Sequence, residues 1–268
     1  MGRIADTFRS RNSPLFIGFT VAGDPGKETC IRAARALIDG GTDILELGIP
    51  FSDPVADGPT IQKADERALL AGTTPDMVFA IVRELRKSSE VPIVFLTYYN
   101  IVYRRGIRSF YREAQEAGVD GILIADMPFE ESDAVTDAAT EFGIDPIMLI
   151  TQTTTDARIK KIASRARGYL YLVAVLGVTG VRETVSDEAI TLLKRVRKHT
   201  DLPLALGFGI STPQHAKTCA EQGADGIIVG SAIVDIVGKN SGDPKVMEDA
   251  LRHYVASMKA AIVTDCRV

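Results

Sequence analysis

The sequence predicts an α/β fold, a closed barrel of eight β/α units. Three observations predict it. Short apolar strands alternate with amphipathic helices along all 268 residues. The strands are near-continuous runs of Ile, Val, Leu and Ala, as expected of parallel strands covered on both faces. The joints also repeat. Gly40-Gly41-Thr42-Asp43, Ala117-Gly118-Val119-Asp120 and Gln222-Gly223-Ala224-Asp225 each pass from helix to strand through glycine, which takes the left-handed conformation that ends a helix.

In chain order the strands are read at Leu15–Val21, Asp43–Leu47, Pro92–Thr97, Gly121–Ala125, Asp145–Ile150, Tyr169–Val175, Pro203–Leu206 and Gly226–Val229. Between them lie helices at Glu28–Asp39, Pro75–Ser88, Ile107–Ala117, Glu130–Glu141, Asp156–Ala166, Asp187–His199 and Pro213–Glu221. Short extra helices are expected at the N-terminus (Ile4–Arg9, closing the barrel's base), after the second strand (Thr60–Ala71) and after the eighth. Eight such units suit a (β/α)8 TIM barrel better than an open doubly wound sheet. No Pro/Ser-rich or low-complexity stretch divides the chain, so residues 1–268 are read as one domain.

The 46% hydrophobic content is ample for a large core, and tryptophan is absent. With 31 basic and 35 acidic residues interspersed, the net charge is −4 and no basic block marks a nucleic-acid surface. Cys30, Cys219 and Cys266 have no metal-type spacing and read as reduced thiols. Nothing approaches the roughly 18 consecutive apolar residues of a membrane span. A soluble, cytoplasmic protein is the expectation.

Barrel chemistry sits at the C-terminal ends of the strands. There Glu46 interrupts the apolar run Asp43-Ile44-Leu45-Glu46-Leu47-Gly48-Ile49-Pro50. A carboxyl in that position is either a desolvated acid–base group with a raised pKa or a structural glutamate bonded to backbone or to a cation. The loop Phe51-Ser52-Asp53-Pro54-Val55-Ala56-Asp57-Gly58-Pro59-Thr60 follows. Its prolines and glycine stiffen it, so Asp57 and Asp53 are read either as carboxylates held over the mouth or as turn and helix caps. After the seventh and eighth strands come Gly207-Phe208-Gly209-Ile210-Ser211 and Gly230-Ser231-Ala232. In a barrel these two loops recurrently bind phosphate, so the glycines are read either as exposing N–H groups to an anion beside a helix N-terminus beginning at Ser231 or as purely structural. Gly177-Val178-Thr179-Gly180, after the sixth strand, reads as a loop able to close over substrate.

Absences narrow the chemistry. No Gly-x-Gly-x-x-Gly follows the first strand and no P-loop occurs. No lysine lies in a predicted strand, so a Schiff-base aldolase lacks its nucleophile. His199, His215 and His253 fall on or at the ends of helices, so no His-ligated metal is expected at the mouth. What remains is carboxyl acid–base chemistry on a phosphorylated small molecule. A sugar-phosphate isomerase or epimerase would need a Lys, His or Cys at a strand end. A non-catalytic scaffolding barrel is the reading from a different class.

The run from Leu45 to Pro59 resembles the signature of tryptophan synthase α subunits. So do Phe19-Thr20-Val21-Ala22-Gly23-Asp24-Pro25, Gly177-Val178-Thr179-Gly180 and Gly207-Phe208-Gly209-Ile210-Ser211, in order between about Phe16 and Ile236. The resemblance implies a lyase of tryptophan biosynthesis. It would cleave indole-3-glycerol phosphate by a retro-aldol reaction to indole and glyceraldehyde 3-phosphate. Glu46 would be the main acid–base residue, and Asp57 would hold the indole N–H and stabilise the charge formed on C3 protonation. Phe19, Ile61, Leu96, Tyr98, Phe208 and Ile228 match the indole pocket, and Tyr171 a position near the glutamate. Gly180, Gly209, Gly230 and Ser231 match the phosphate contacts, and Thr179 the closing-loop residue that supports Asp57. The implied partner is a β subunit in an α2β2 heterotetramer, with Asp53 and Asn100 at interface positions and indole passed between sites. Pyridoxal phosphate would belong to β, leaving this chain without a cofactor. One departure stands out: Ala174-Val175-Leu176 replaces the Ser-Arg pair that many members carry before Gly-Val-Thr-Gly, with Arg182 just beyond the motif.

Overall fold

The computed structural model describes residues 2–173, 187–207 and 209–263. Its elements run α1 (Arg3–Arg9), β1 (Leu15–Val21), α2 (Lys27–Asp39), β2 (Ile44–Gly48), α3 (Pro59–Leu70), α4 (Pro75–Arg86), β3 (Ile93–Thr97), α5 (Tyr99–Arg105), α6 (Ile107–Ala117) and β4 (Gly121–Ile124). Then follow a 3-10 turn (Phe129–Glu131), α7 (Asp133–Phe142), β5 (Asp145–Thr151), α8 (Asp156–Arg165), β6 (Leu170–Val173), α9 (Asp187–Arg197), β7 (Leu204–Gly207), α10 (Pro213–Glu221), β8 (Gly226–Val229), α11 (Ser231–Asn240) and α12 (Pro244–Ile262). Each strand pairs in parallel with the next, and β1 pairs with β8, so the sheet closes into the (β/α)8 barrel.

Strand alternation sorts the side chains into two cores. Inward-facing Leu15, Ile17, Ile44, Val94, Leu123, Ile147, Tyr169, Tyr171, Ala205 and Ile228 fill the barrel. Outward-facing Phe16, Leu45, Leu47, Phe95, Ile122, Leu170, Leu206 and Ile227 pack beneath the helices. The expected floor is present: Ile4 and Phe8 of α1 join the inner core, with Phe8 tilted against Tyr169 at 5.9 Å.

The repeated glycine joints have a second use. Gly41, Gly118 and Gly223 have φ of +105°, +97° and +91°, where a side chain would be strained. Two residues on, each aspartate caps the start of the preceding strand. The Asp43 carboxylate accepts from Phe16 N–H (2.6 Å), Asp120 from Ile93 N–H (2.8 Å) and Asp225 from Leu204 N–H (2.8 Å). Each also meets a cation: Asp43 meets Lys259 at 2.6 Å, Asp120 meets Arg86 at 2.5 Å and Arg3 at 3.0 Å, and Asp225 meets Arg11 and Arg197.

Several boundaries differ from the sequence reading. The segment read as one helix over Glu130–Glu141 divides into the 3-10 turn and α7, because the Ser132 hydroxyl bonds back to the Phe129 carbonyl at 2.6 Å. Helices α5 and α12 are absent from the reading. The first is two turns wedged directly after β3; the second starts just after Asp243, whose carboxylate caps the N–H groups of Lys245 and Val246. α12 packs on α2, α10 and α11, closing the outer ring where the chain ends its circuit. The Gly177–Gly180 loop, its Ala174-Val175-Leu176 approach, Arg182 and Cys266 lie outside the described residues, as does the predicted end of the sixth strand at Val175.

Candidate active site

Glu46 belongs to β2's inward face, in phase with Ile44 and beside Phe19 of β1 and Val94 of β3. It is fully buried. Tyr169 Oη donates to its Oε1 at 3.4 Å, while Oε2 has no partner among the described residues. Burial pushes the Glu46 carboxyl up to about 8; the tyrosine opposes the rise and the nearby charge of Asp57 adds to it. Protonation near neutrality is the physical consequence, because an ionised carboxylate there would forfeit its hydration.

Asp57 is carried by the stiff loop between β2 and α3. Tyr98 Oη donates to Asp57 Oδ2 at 2.6 Å and accepts from Ala56 N–H at 3.2 Å, so one phenol clasps the loop at two points. Phe51, where the loop begins, stacks on the Tyr98 ring at 5.0 Å. Burial raises Asp57 above the usual carboxylate range and the Tyr98 bond pulls it back. The two carboxyls thus differ in setting, one enclosed by the barrel and one held by a hydrogen-bonded phenol.

The apolar candidates gather over Glu46. Phe19 packs with Val21, Ala64, Ala68 and Val234, and Ile61 and Leu96 lie against that group. Ile228 and Tyr171 belong to the inner core just below. The Tyr171 ring lies on Gly207 so closely that a Cβ there would sit 2.5 Å from it, which is why the strand ends in glycine. Tyr171 feels the charge of both Glu46 and Asp57, placing it beside the pair.

On the other side of the mouth, β7 and β8 pair Ala205 with Gly226 and Leu206 with Ile227. Their outgoing loops, with Gly209 after one and Gly230 after the other, therefore leave side by side. Gly230 is the N-cap of α11 and Ser231 its first residue, so the first N–H groups of a ten-residue helix are available to an anion there. Asp53 and Asn100 lie outside the pocket, exposed on the loop after β2 and on α5; the Phe51–Tyr98 stack joins those two segments. Phe208, Thr179 and Gly180 lie outside the described residues.

Two contributors escaped the sequence reading. Tyr169, the partner of Glu46, could have been found two residues before Tyr171 on the same inward strand face. Asp65 of α3 is 4% exposed and lies among the mouth carboxyls. Its signal was present as the one charged residue in step with Ile61, Ala64 and Ala68.

Comparison with known proteins bears on the whole chain. The family described as tryptophan synthase alpha chain matches residues 6–263. A tryptophan synthase alpha chain from Methanoregula boonei is 69% identical over 261 residues, 97% of this chain and 98% of that one. Another, from Methanothermobacter thermautotrophicus, is 46% identical over 257 residues, 96% of this chain and 95% of its own. Among solved structures, a tryptophan synthase alpha chain from Legionella pneumophila superposes with a TM-score of 0.91 at 34% identity, covering 100% of both chains. A chain from the tryptophan synthase α2β2 complex of the hyperthermophile Pyrococcus furiosus does so at 0.87 and 40% identity, covering 92% of this chain and 98% of that one.

Proposed function

The chain belongs to the tryptophan synthase alpha chain family, and from that premise we propose that it is a carbon–carbon lyase converting indole-3-glycerol phosphate to indole and glyceraldehyde 3-phosphate. The observation that carries the proposal is the enclosed, proton-holding Glu46 beside Asp57, facing an apolar pocket with a helix N-terminus across the mouth.

The reaction is a retro-aldol cleavage. The indole ring lies among Phe19, Ile61, Leu96 and Ile228, with its N–H on the Asp57 carboxylate. The phosphate takes the donors at Gly209, Gly230 and Ser231. Protonation of indole C3 turns the ring into an electron sink, and the Asp57 carboxylate offsets the positive charge spread to its nitrogen. Loss of the side-chain hydroxyl proton then forms the aldehyde; the C–C bond breaks and its electron pair returns to the ring. A carboxyl at about 8 suits both transfers, since it holds a proton near neutrality and parts with it readily. The protein's part in each step is to move a proton or offset a charge, so the chain is assigned no cofactor of its own.

The partner in this reading is a pyridoxal-phosphate-dependent β subunit that receives the indole. The naming of the Pyrococcus furiosus relative as an α2β2 complex supports it. So does the exposure of Val55, Leu69 and Leu70 beside Asp53, apolar surface that a monomer gains nothing by showing to water. Among the described residues no helix is long and apolar enough to cross a membrane.

Indole release by the purified chain, measured with and without a tryptophan synthase β subunit, tests the proposal. Turnover that rises with β supports both reaction and partnership. No turnover in either case overturns the lyase reading and favours a scaffolding barrel.

A further inference from the structure

Two buried carboxyls among the described residues of the mouth, Asp24 and Asp65, are not used by the proposed reaction; Asp24 is paired with Arg67, and Asp65 has no cation on it. It lies on the inner face of α3 between Ala64 and Ala68, which pack on Phe19, Val21 and Val234. Its Oδ2 is fully buried and has no partner among the described residues. The Phe51 backbone N–H bonds to its carboxyl, and the Phe51 ring stacks on Tyr98, whose hydroxyl donates to Asp57 at 2.6 Å. Asp65 thus stands behind the residue that starts the catalytic loop.

Among the described residues, the charges that act on it are of one sign. Asp57 faces it from the loop, Asp24 from the turn after β1, and Tyr98 from the end of β3 also feels its charge. Arg67, on the same helix, is already held by Asp24, with contacts of 2.8 and 2.6 Å. The other charges of α3, Lys63 and Glu66, are exposed; β1 carries none, and α11 carries Asp235 and Lys239, which pair with each other at 2.6 Å. The cluster is no cation site, since among the described residues no three His, Cys, Asp or Glu side chains are arranged to hold a metal.

We propose that Asp65 is a positioning residue of the reaction site, a carboxylic acid that keeps its proton and anchors Phe51, and through the Phe51–Tyr98 stack the Asp57 loop. Ionisation of Asp65 sets a second negative charge against Asp57, with no cation between them among the described residues, and the loop yields. Burial, reinforced by Asp57, pushes the Asp65 carboxyl up to about 8, so this happens just above neutrality.

The inference rests on the lyase reading, and two measurements keep the failure of one distinct from the failure of the other. The first is log(kcat/KM) for indole release against pH, for wild type and Asp65→Asn, which copies the shape of the neutral acid. Two groups, Glu46 and Asp65, titrate in wild type, so the alkaline limb falls with a slope approaching two; in Asp65→Asn it falls with a slope of one. Equal slopes overturn the inference, and so does a uniform loss of rate with an unshifted limb. The second is the infrared difference spectrum between the two proteins at neutral pH. A protonated-carboxyl C=O band lost in Asp65→Asn supports the inference, and a carboxylate band in its place overturns it. The infrared result stands even if no indole is released, an outcome that removes the lyase reading alone.

Discussion

The two ends of this barrel treat carboxylates in opposite ways. At the base, Asp43, Asp120 and Asp225 each cap a strand N–H and meet Lys259, Arg86 or Arg197. At the mouth, Glu46 and Asp65 are buried and Asp57 partly so, yet none has a cationic partner among the described residues; a phenol or a backbone N–H stands in its place. The base uses charge to fix the register of the sheet. At the mouth, burial without a cation raises Glu46, Asp57 and Asp65 alike. Stability and reactivity are therefore built from the same residue types, separated by whether a cation was supplied.

The largest effect expected from this contrast is on rate. Glu46→Gln removes the titrating group while keeping size and polarity, so kcat for indole release should fall by about 10³-fold, within the usual span of general acid–base catalysis. A rate within tenfold of wild type would remove Glu46 from the mechanism.

Next is the base. Asp225→Asn leaves Arg11 and Arg197 without their shared carboxylate and weakens the cap on Leu204. Both arginines are partly exposed, which discounts the loss, and about 2–3 kcal/mol of stability is expected to go, read by urea unfolding. The rate per folded molecule should not change.

The mouth should show the reverse sign in stability against pH. Glu46 folds with its carboxyl raised from 4.5 to about 8, so the folded state holds a proton that the unfolded chain gives up. Its contribution is fully present below about pH 4.5 and is lost as pH rises towards 8. Wild type should therefore lose on the order of 5 kcal/mol from Glu46 across that window, about 1.4 kcal/mol per pH unit, and Glu46→Gln should make the decline shallower and be the more stable protein at pH 8. A wild-type curve that rises through this window would contradict the assignment of a raised carboxyl.

The smallest effect is expected at Tyr98→Phe. It removes the hydroxyl that Asp57 and Ala56 share, while the Phe51 stack remains. A hydrogen bond to a charged group contributes about 1.5–3 kcal/mol, so kcat/KM should fall roughly 10- to 100-fold with little change in the melting temperature. A melting temperature that falls in step with activity would mean that the phenol only holds the loop together.

Much of this contrast was legible in the sequence. Strand runs, glycine joints and the Leu45–Pro59 signature were enough for the barrel and for Glu46, because burial on both faces and a tight turn leave local marks. The roles of Asp43, Asp120 and Asp225 were written in the same Gly-x-Asp joints, but their cations come from positions 28 to 216 residues away with no shared local pattern, as Arg197 on Asp225 and Lys259 on Asp43 illustrate. Tyr169 and Asp65 were hidden for a related reason. A buried tyrosine reads as core, and a charged residue on a helix reads as solvent-facing; only the closed barrel brings the phenol under Glu46 and turns that helix face inward. Helix α12 was missed although Met247, Leu251, Val255, Met258 and Ile262 keep a helical step, because it follows the eighth unit and has no strand after it to mark it as part of the repeat.

The floor of the barrel is also its electrical insulation. Phe8 rests on Tyr169, and Tyr169 touches Glu46, so one short helix shields the acid from beneath at the opposite end from where substrate enters. Removing residues 1–9 should let water reach that carboxyl and draw Glu46 back toward an ordinary acid, read as a shallower loss of stability between pH 4.5 and about 8. The acid strength of the site is thus written partly in the first turns of the chain, far from any atom of the substrate.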